Sequence, residues 1–360
     1  MEQFHCKTRI IFGASCQEAL QSLGCRRILL VTDPFFAKNG TARTILSGSG
    51  AEATEIFDQV EPDPTVELAA RGTAVVKAFQ PDTIVALGGG SAMDCAKAMA
   101  YFAGCPVQLV AIPTTSGSGS EVTDFAILTH GSVKHPLVDS RIRPDVAILD
   151  EGLLQQLPRT LIADAGFDVL AHALESWVAT GANCVTDALA RESFSLAYAH
   201  LPASYGGNTE VRGRVHQAAT MAGMAFTQSG LGLCHAMSHS LGGMFHVAHG
   251  RLNAILLPAV VSCNALVATP KYARLARSLG LPGAADTVAV RSLKNALIRL
   301  RRELGLPQTL QQAGVDLRQL RRRMPEIVQA VLADPCCSTN PMPVEDFLVR
   351  RILEEVAGHV

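Results

Sequence analysis

A chain of 360 residues exceeds the size at which a single hydrophobic core keeps growing, so two domains are expected. Hydrophobic residues make up 48% and charged residues 18%, which supplies ample core material and argues against disorder. Lys plus Arg (31) nearly balances Asp plus Glu (32), for a formal net charge of -1, so no global field draws in nucleic acid or anionic lipid. The ten cysteines form no CxxC unit, no secretory signal precedes the first strand-like segment, and apolar runs such as 254–261 are too short to span a bilayer. A reducing cytoplasm is the expected setting, with the cysteines mostly small buried hydrophobes.

The first half alternates short β-branched runs with helical patterns, as a parallel sheet covered by helices requires. Residues 27–32 predict a buried strand stopped by Asp33-Pro34. Residues 54–60 predict a second strand, and 65–79 a helix. A strand over 82–87, a turn Gly88-Gly89-Gly90-Ser91 and a helix over 92–102 follow. Bare glycines ahead of a helix N-terminus suit a phosphate, because backbone can approach closely and free N–H groups face the anion. GGGS lacks the GxGxxG pattern and no P-loop lysine follows, so a nucleotide turn and a glycine-rich helix cap both fit. After a strand over 107–112, the hydroxyl-rich loop 113–120 can line the same crevice, as an ordered loop ahead of the strand 125–128. Lys134 and a strand over 145–149 close this half.

Beyond Asp150 helical periodicity dominates, with breaks expected at 202–208, Pro258, Pro270, 281–283, Pro307 and 334–343. The expected organisation is an α/β dinucleotide-binding domain over 1–155 and an all-helical domain over 156–360. The arginine-rich stretches 299–302 and 321–323 read as solvated helix faces.

Four of the eleven histidines, His235, His239, His246 and His249, fall in fifteen residues of the stretch GLGLCHAMSHSLGGMFHVAHGR (230–251). Each alone fits a structural imidazole held by the backbone. The segment DAGFDVLAHALESW (164–177) puts Asp168 and His172 four apart on one helical face, where they can chelate a cation or share a structural hydrogen bond. Taken with His235, His239 and His249, one carboxylate and three of these four imidazoles suit a divalent transition metal with positions left open to substrate.

The motifs GGGSAMDCAKA (88–98), PTTSGSGSEVT (113–123), DAGFDVLAHALE (164–175) and CHAMSHSLGGMFHVAHG (234–250), in this order and spacing, resemble the iron-containing (group III) alcohol dehydrogenases over essentially the whole chain. Within that family, AGMAFTQSGLGLCHA (222–236) and the overall texture are most similar to the propanol and ethanol dehydrogenases of bacterial microcompartments. The resemblance implies a Rossmann-like parallel-sheet domain followed by an all-α metal-binding domain of the dehydroquinate synthase-like type.

It implies metal ligation by Asp168, His172, His235 and His249, with Fe2+ as the family metal and Zn2+ as an ion the same donors accept. His239 falls beside nicotinamide and substrate with a proton-transfer role, and His246 has no ligand role. NAD(H) contacts are implied for Gly89, Gly90 and Ser91 at the pyrophosphate, and for Asp94, Thr114, Thr115, Ser118 and Lys134. Ser118 stands where the family often has threonine, which keeps the hydroxyl. Asp33 matches an acid near the adenosine ribose, which favours NAD(H) over NADP(H).

The implied activity is reversible hydride transfer between a short-chain primary alcohol and NAD+, running in the cell as aldehyde reduction that regenerates NAD+. The implied setting is a cytoplasmic homodimer, in some cases inside a microcompartment beside its shell and aldehyde-producing enzymes, with no nucleic-acid or membrane partner. Glycerol or diol dehydrogenases and dehydroquinate synthase-like lyases are the competing activities. A non-enzymatic microcompartment scaffold is disfavoured because every ligand position is filled.

Overall fold

The computed structural model describes residues 4–131 and 133–358. They form two compact units, one of His5–Leu157 and one that takes up the chain from Pro158 onward together with Phe4.

The first unit contains β1 (Arg9–Phe12), β2 (Arg27–Thr32), β3 (Ala53–Phe57), β4 (Thr83–Gly88), β5 (Gln108–Pro113), β6 (Phe125–His130), β7 (Val133–Val138) and β8 (Val146–Leu149). Six of these build one parallel sheet in the order β1-β8-β5-β4-β2-β3, while β6 and β7 pair antiparallel as a separate hairpin. Its helices are α1 (Cys16–Leu23), α2 (Pro34–Lys38), α3 (Thr41–Gly48), α4 (Val66–Phe79) and α5 (Gly90–Ala103). The near-continuous apolar runs of β2 and β4 follow from burial on both sheet faces. Ile28, Leu30, Val85 and Leu87 pack with Leu20 of α1 and Ile45 of α3. The alternate residues Leu29, Val31, Ile84 and Ala86 pack with Leu68 and Val76 of α4 and Met99 of α5.

The chain runs from β2 outward to β3 and then crosses to β4 on the other side of β2. The strand order therefore reverses between β2 and β4, and the carboxyl ends flanking such a reversal are where open α/β sheets bind ligands. Asp33 follows β2 directly, and Gly88 ends β4. Two elements depart from expectation. The four-residue β1 carries little periodic signal and is held by pairing with the distant β8. Residues 125–128, expected as a strand, lie in β6, which pairs with β7, the strand that carries Lys134, in a hairpin outside the main sheet.

The second unit is helical: α6 (Arg159–Val178), α7 (Cys184–Tyr205), α8 (Arg212–Ser229), α9 (Leu233–Phe245), α10 (His249–Ser278), α11 (Asp286–Glu303), α12 (Leu317–Arg322), α13 (Met324–Ala333) and α14 (Asp346–Ala357). Helix α6 is buried almost all round, as the centre of a helical core must be. Helix α10 has the length and hydropathy of a membrane span, yet most of its apolar residues are buried inside the protein, so it is a core helix.

Pro258 does not break α10, contrary to the sequence expectation, whereas just before Pro270 two helical segments meet at a kink, with Ala268 non-helical (φ -111°, ψ 15°). At Pro258 the missing N–H orphans the Ala254 carbonyl, and Arg301 supplies the replacement. Its Nη1 donates to the Ala254 and Ile255 carbonyls at 3.1 Å each. Arg301 is thus 7% exposed rather than part of a solvated face, whereas Arg299 and Arg302 are exposed as expected. Pro202 likewise lies inside α7, which ends only at Tyr205.

Candidate metal centre and cofactor turn

Helix α6 carries Asp168 and His172 one turn apart, α9 carries His235 in its first turn, and α10 begins at His249. Asp168 Oδ1 lies 3.8 Å from His235 Nε2 and 3.5 Å from His249 Nε2. These three residues offer ligand atoms that all lie within 4.8 Å of one another. His172 sits alongside, its Nδ1 4.0 Å from Asp168 Oδ2 and its ring stacked on those of His235 and Phe226, each at 4.5 Å. Gly250 makes the approach of α10 to α6 feasible. A Cβ there would collide with the Asp164 carbonyl and sit 3.2 Å from Asp168 Cβ, pushing His249 away from the carboxylate.

Burial by itself would raise the Asp168 carboxyl, but His172, His249, His235 and the Asn253 amide together hold it below the usual carboxylate range. Burial drives the His235 imidazole well down, reinforced by His172, and brings His249 to about 3. The group is therefore one ionised oxygen donor with neutral imidazoles, the protonation states a divalent transition metal requires. Asp168, His235 and His249 fit such an ion without rearrangement of charge, and this cluster includes no sulfur donor.

Three supporting residues escaped the sequence reading. Glu175 accepts from the backbone N–H groups of Gly232 (3.0 Å), Cys234 (2.7 Å) and His235 (3.2 Å), and pairs with His235 Nδ1 at 2.6 Å. It caps α9 and commits Nδ1 of His235, which leaves Nε2 to face Asp168. Burial pushes its carboxyl up to about 7 against the pull of those three N–H groups. Asn253 Oδ1 accepts from Ser238 Oγ at 2.6 Å and Cys234 Sγ at 3.4 Å, which orients the amide. Its Nδ2 then donates to Asp168 Oδ1 at 2.7 Å and lies 3.3 Å from His235 Nε2 and 3.2 Å from His249 Nε2. Helical spacing carried a signal for both, since Glu175 lies three after His172 and Asn253 four after His249.

The third is Asp334, whose Oδ2 is 2.8 Å from His239 Nδ1. His239 is 44% exposed and its ring stacks on that of His249 at 5.1 Å. His246 takes the left-handed conformation (φ 54°) that ends α9, and so has a structural task. All ten cysteines are free thiols, and Cys16, Cys25, Cys95, Cys234 and Cys263 are buried.

In the first unit Gly88 and Pro113 are register partners, and Thr114 N donates to the Gly88 carbonyl at 3.0 Å. The glycine turn and the hydroxyl-rich loop therefore leave the sheet side by side. Helix α5 begins at Gly90 rather than at residue 92, with Gly89 as an N-cap that offers no side chain. A Cβ at Gly89 would come within 3.4 Å of Thr115 Oγ1, and one at Gly90 within 3.6 Å of Ser118 Oγ. The bare backbone thus keeps open a space bounded by a helix N-terminus and two hydroxyls, which fits a pyrophosphate. Asp33 caps α2, its Oδ1 accepting from Phe35 N (2.8 Å) and Phe36 N (3.3 Å). Its Oδ2 is 3.8 Å from where a Cβ on Gly88 would stand.

Asp94 is engaged within the protein. Its Oδ1 accepts from Ser120 Oγ at 3.2 Å and its Oδ2 from Ile127 N at 3.1 Å. Beside it the buried Lys97 donates to Ser120 Oγ, Thr123 Oγ1 and the Phe125 carbonyl, at 2.9, 3.0 and 2.9 Å. These bonds tie α5 to the loop that carries Ser118. Lys134 lies on β7, and its side chain is outside the described residues.

A family model described as iron-containing alcohol dehydrogenase matches residues 7–151, and one for the C-terminal part of the Fe-containing alcohol dehydrogenase family matches 162–357. The chain is 39% identical to 1-propanol dehydrogenase PduQ from Salmonella typhimurium over 99% of its own length and 100% of that protein's. It is 34% identical to an NADPH-dependent butanol dehydrogenase from Clostridium saccharobutylicum, with 98% and 97% covered. Among solved structures it resembles an iron-containing alcohol dehydrogenase from Thermococcus thioreducens, with a TM-score of 0.90, 32% identity and coverage of 98% and 99%.

Proposed function

We propose, since the chain belongs to the iron-containing alcohol dehydrogenase family, that it interconverts short-chain primary alcohols and aldehydes with NAD(H), working mainly as an aldehyde reductase that regenerates NAD+. Propanol/propanal and ethanol/acetaldehyde are the proposed pairs, supported by the similarity to a 1-propanol dehydrogenase. The observation that carries the reading is the convergence of an ionised Asp168 with neutral His235 and His249. His172 is proposed as the fourth ligand, Fe2+ as the resident metal and Zn2+ as the alternative.

When bound, the metal supplies Lewis acidity toward the alcohol or aldehyde oxygen, and the nicotinamide gives or takes the hydride. Glu175 and Asn253 hold the ligand side chains in place, so that the donors are arranged before an ion arrives. His239 is assigned the proton. With Nδ1 committed to Asp334, its Nε2 is the atom that exchanges a proton with the reacting oxygen. Gly89, Gly90, Ser91, Thr114, Thr115 and Ser118 are assigned to the pyrophosphate region and Lys134 to a cofactor contact, while Asp94 acts through Ser120. Asp33 is assigned to the ribose, where a carboxylate accepts from the hydroxyls and repels an added phosphate. We assign the enzyme to a cytoplasmic homodimer, packaged with aldehyde-producing enzymes in organisms that build microcompartments. Light scattering and co-sedimentation with purified shells test those two points.

The deciding experiment is an anaerobic NADH-oxidation assay with acetaldehyde, propanal, butanal and lactaldehyde, run beside an NAD+-reduction assay with glycerol, with metal analysis of the same sample. Propanal and acetaldehyde reduction well above blank is expected; turnover at the blank level in metal-replete protein sinks the reading. The assay repeated with NADPH is expected to be slower, and Asp33→Gly to narrow the gap. An unchanged cofactor ratio removes Asp33 from the ribose.

A further inference from the structure

Among the described residues, one other group of side chains brings metal-ligand atoms within 4.8 Å of one another: His239, Asp334 and Cys336. We propose that these three form a second divalent-metal site that selects Zn2+ over Fe2+, and that filling it stops turnover. The inhibitory part rests on the proton-transfer reading of His239; the site itself does not.

The donor set is an imidazole, a carboxylate and a thiol, and it differs from the Asp168 cluster in holding sulfur. Thiolate ligands favour zinc over iron(II) and over the hard cations. The three groups are held together by backbone structure. Asp334 caps the short turn Pro335–Thr339, its Oδ1 accepting from Cys336 N at 2.9 Å, while its Oδ2 reaches His239 Nδ1 at 2.8 Å. The neighbouring thiol is committed elsewhere, since Cys337 Sγ donates to the Val331 carbonyl at 3.0 Å. Burial is the largest influence on the Asp334 carboxyl and raises it, but the bond to His239, its charge and the hydrogen bonds from Cys336 together outweigh burial and keep the group below its ordinary range. The half-exposed His239 ring gives an ion a way in, and metal sites need such a path.

The required rearrangement is small. His239 Nδ1 and Asp334 Oδ2 now share a proton. Replacing it by zinc, with bonds of about 2.0–2.1 Å at a tetrahedral angle, opens the pair to about 3.3 Å. The Cys336 Sγ–H bond breaks, its proton leaves to solvent and an S–Zn bond forms, with no change of oxidation state. A water molecule completes the coordination. His239 then has a nitrogen bound to the ion and is held by it, so it no longer relays a proton to the reacting oxygen.

The test uses cobalt(II) and zinc(II) ions on the full chain, anaerobically, with Cys336→Ala and Cys336→Ser as two independent variants. Wild type is expected to take up two zinc ions per chain in competition with a chromophoric chelator, and each variant one. The second cobalt equivalent should produce a thiolate-to-cobalt charge-transfer band in wild type and none in the variants, because only this site contains sulfur. In iron-loaded protein, zinc sufficient to fill the second site should lower turnover by on the order of 100-fold, the scale of a lost proton carrier. The variants should keep their activity. Uptake of a single ion by wild type, a missing band, or equal uptake by the variants overturns the site. Iron lost in step with activity overturns the inhibition. A second zinc bound with turnover intact supports the site and removes the proton-transfer role from His239.

Discussion

Replacing Glu175 by glutamine changes one oxygen to NH2 with almost no change of shape, so its effect isolates the hydrogen bonds at the head of α9. Oε2 of Glu175 serves Gly232 N, His235 N and His235 Nδ1, while Oε1 serves Cys234 N. An amide has one acceptor oxygen, so its NH2 must face a donor in either orientation. The milder orientation keeps oxygen on His235 and leaves the buried Cys234 N–H without an acceptor, a loss of about 1–3 kcal/mol. The bond to His235 Nδ1 also loses its charge assistance, and lost outer-shell partners of a metal-bound histidine typically cost about 10–100-fold in metal affinity. Glu175→Gln is therefore expected to lower the urea midpoint of the metal-free chain and to weaken zinc binding at the Asp168 cluster by about 10–100-fold. Urea unfolding followed by circular dichroism measures the first, and chelator competition the second. An unchanged midpoint together with unchanged zinc affinity would refute the assignment of Glu175 as the residue that sets His235.

Two further predictions concern the scaffold. Arg301→Met should destabilise the protein by about 2–3 kcal/mol, because the Ala254 carbonyl loses the donor that replaces the N–H missing at Pro258. Adding Pro258→Ala should recover part of that loss by restoring a helical donor, and a double-mutant cycle without coupling would count against the pairing. Lys97 is held at about 8 by burial, against an ordinary 10.5. Between those values the unfolded chain binds the proton and the folded chain does not, so stability rises with pH through that window, by up to about 3 kcal/mol. Below it both states are charged and the burial cost is felt in full. Urea midpoints of wild type minus Lys97→Met should climb from pH 8 to pH 10.5; a flat difference refutes the account.

Much of the fold was legible because its elements are local. The run at 27–32 became β2 with the same bounds, since a strand buried on both faces needs nothing but apolar residues. Helix α4 starts one residue inside its expected span because Thr65 serves as its cap, accepting from Leu68 N. The spacing of Asp168 and His172 placed both on one helical face without reference to any other segment.

Contacts between distant segments were another matter. The strand β1 exists because β8 lies beside it, and α10 runs through Pro258 because Arg301, over forty residues later, supplies a donor. The same holds for the site. Composition and spacing determined that carboxylate and imidazoles were available and that glycines preceded a helix. Tertiary structure alone decided that His239 would meet Asp334, that Glu175 would settle which nitrogen of His235 is presented, and that Cys336 would stand beside them. Periodicity records which face of an element is buried; it carries no record of which partner is buried against it.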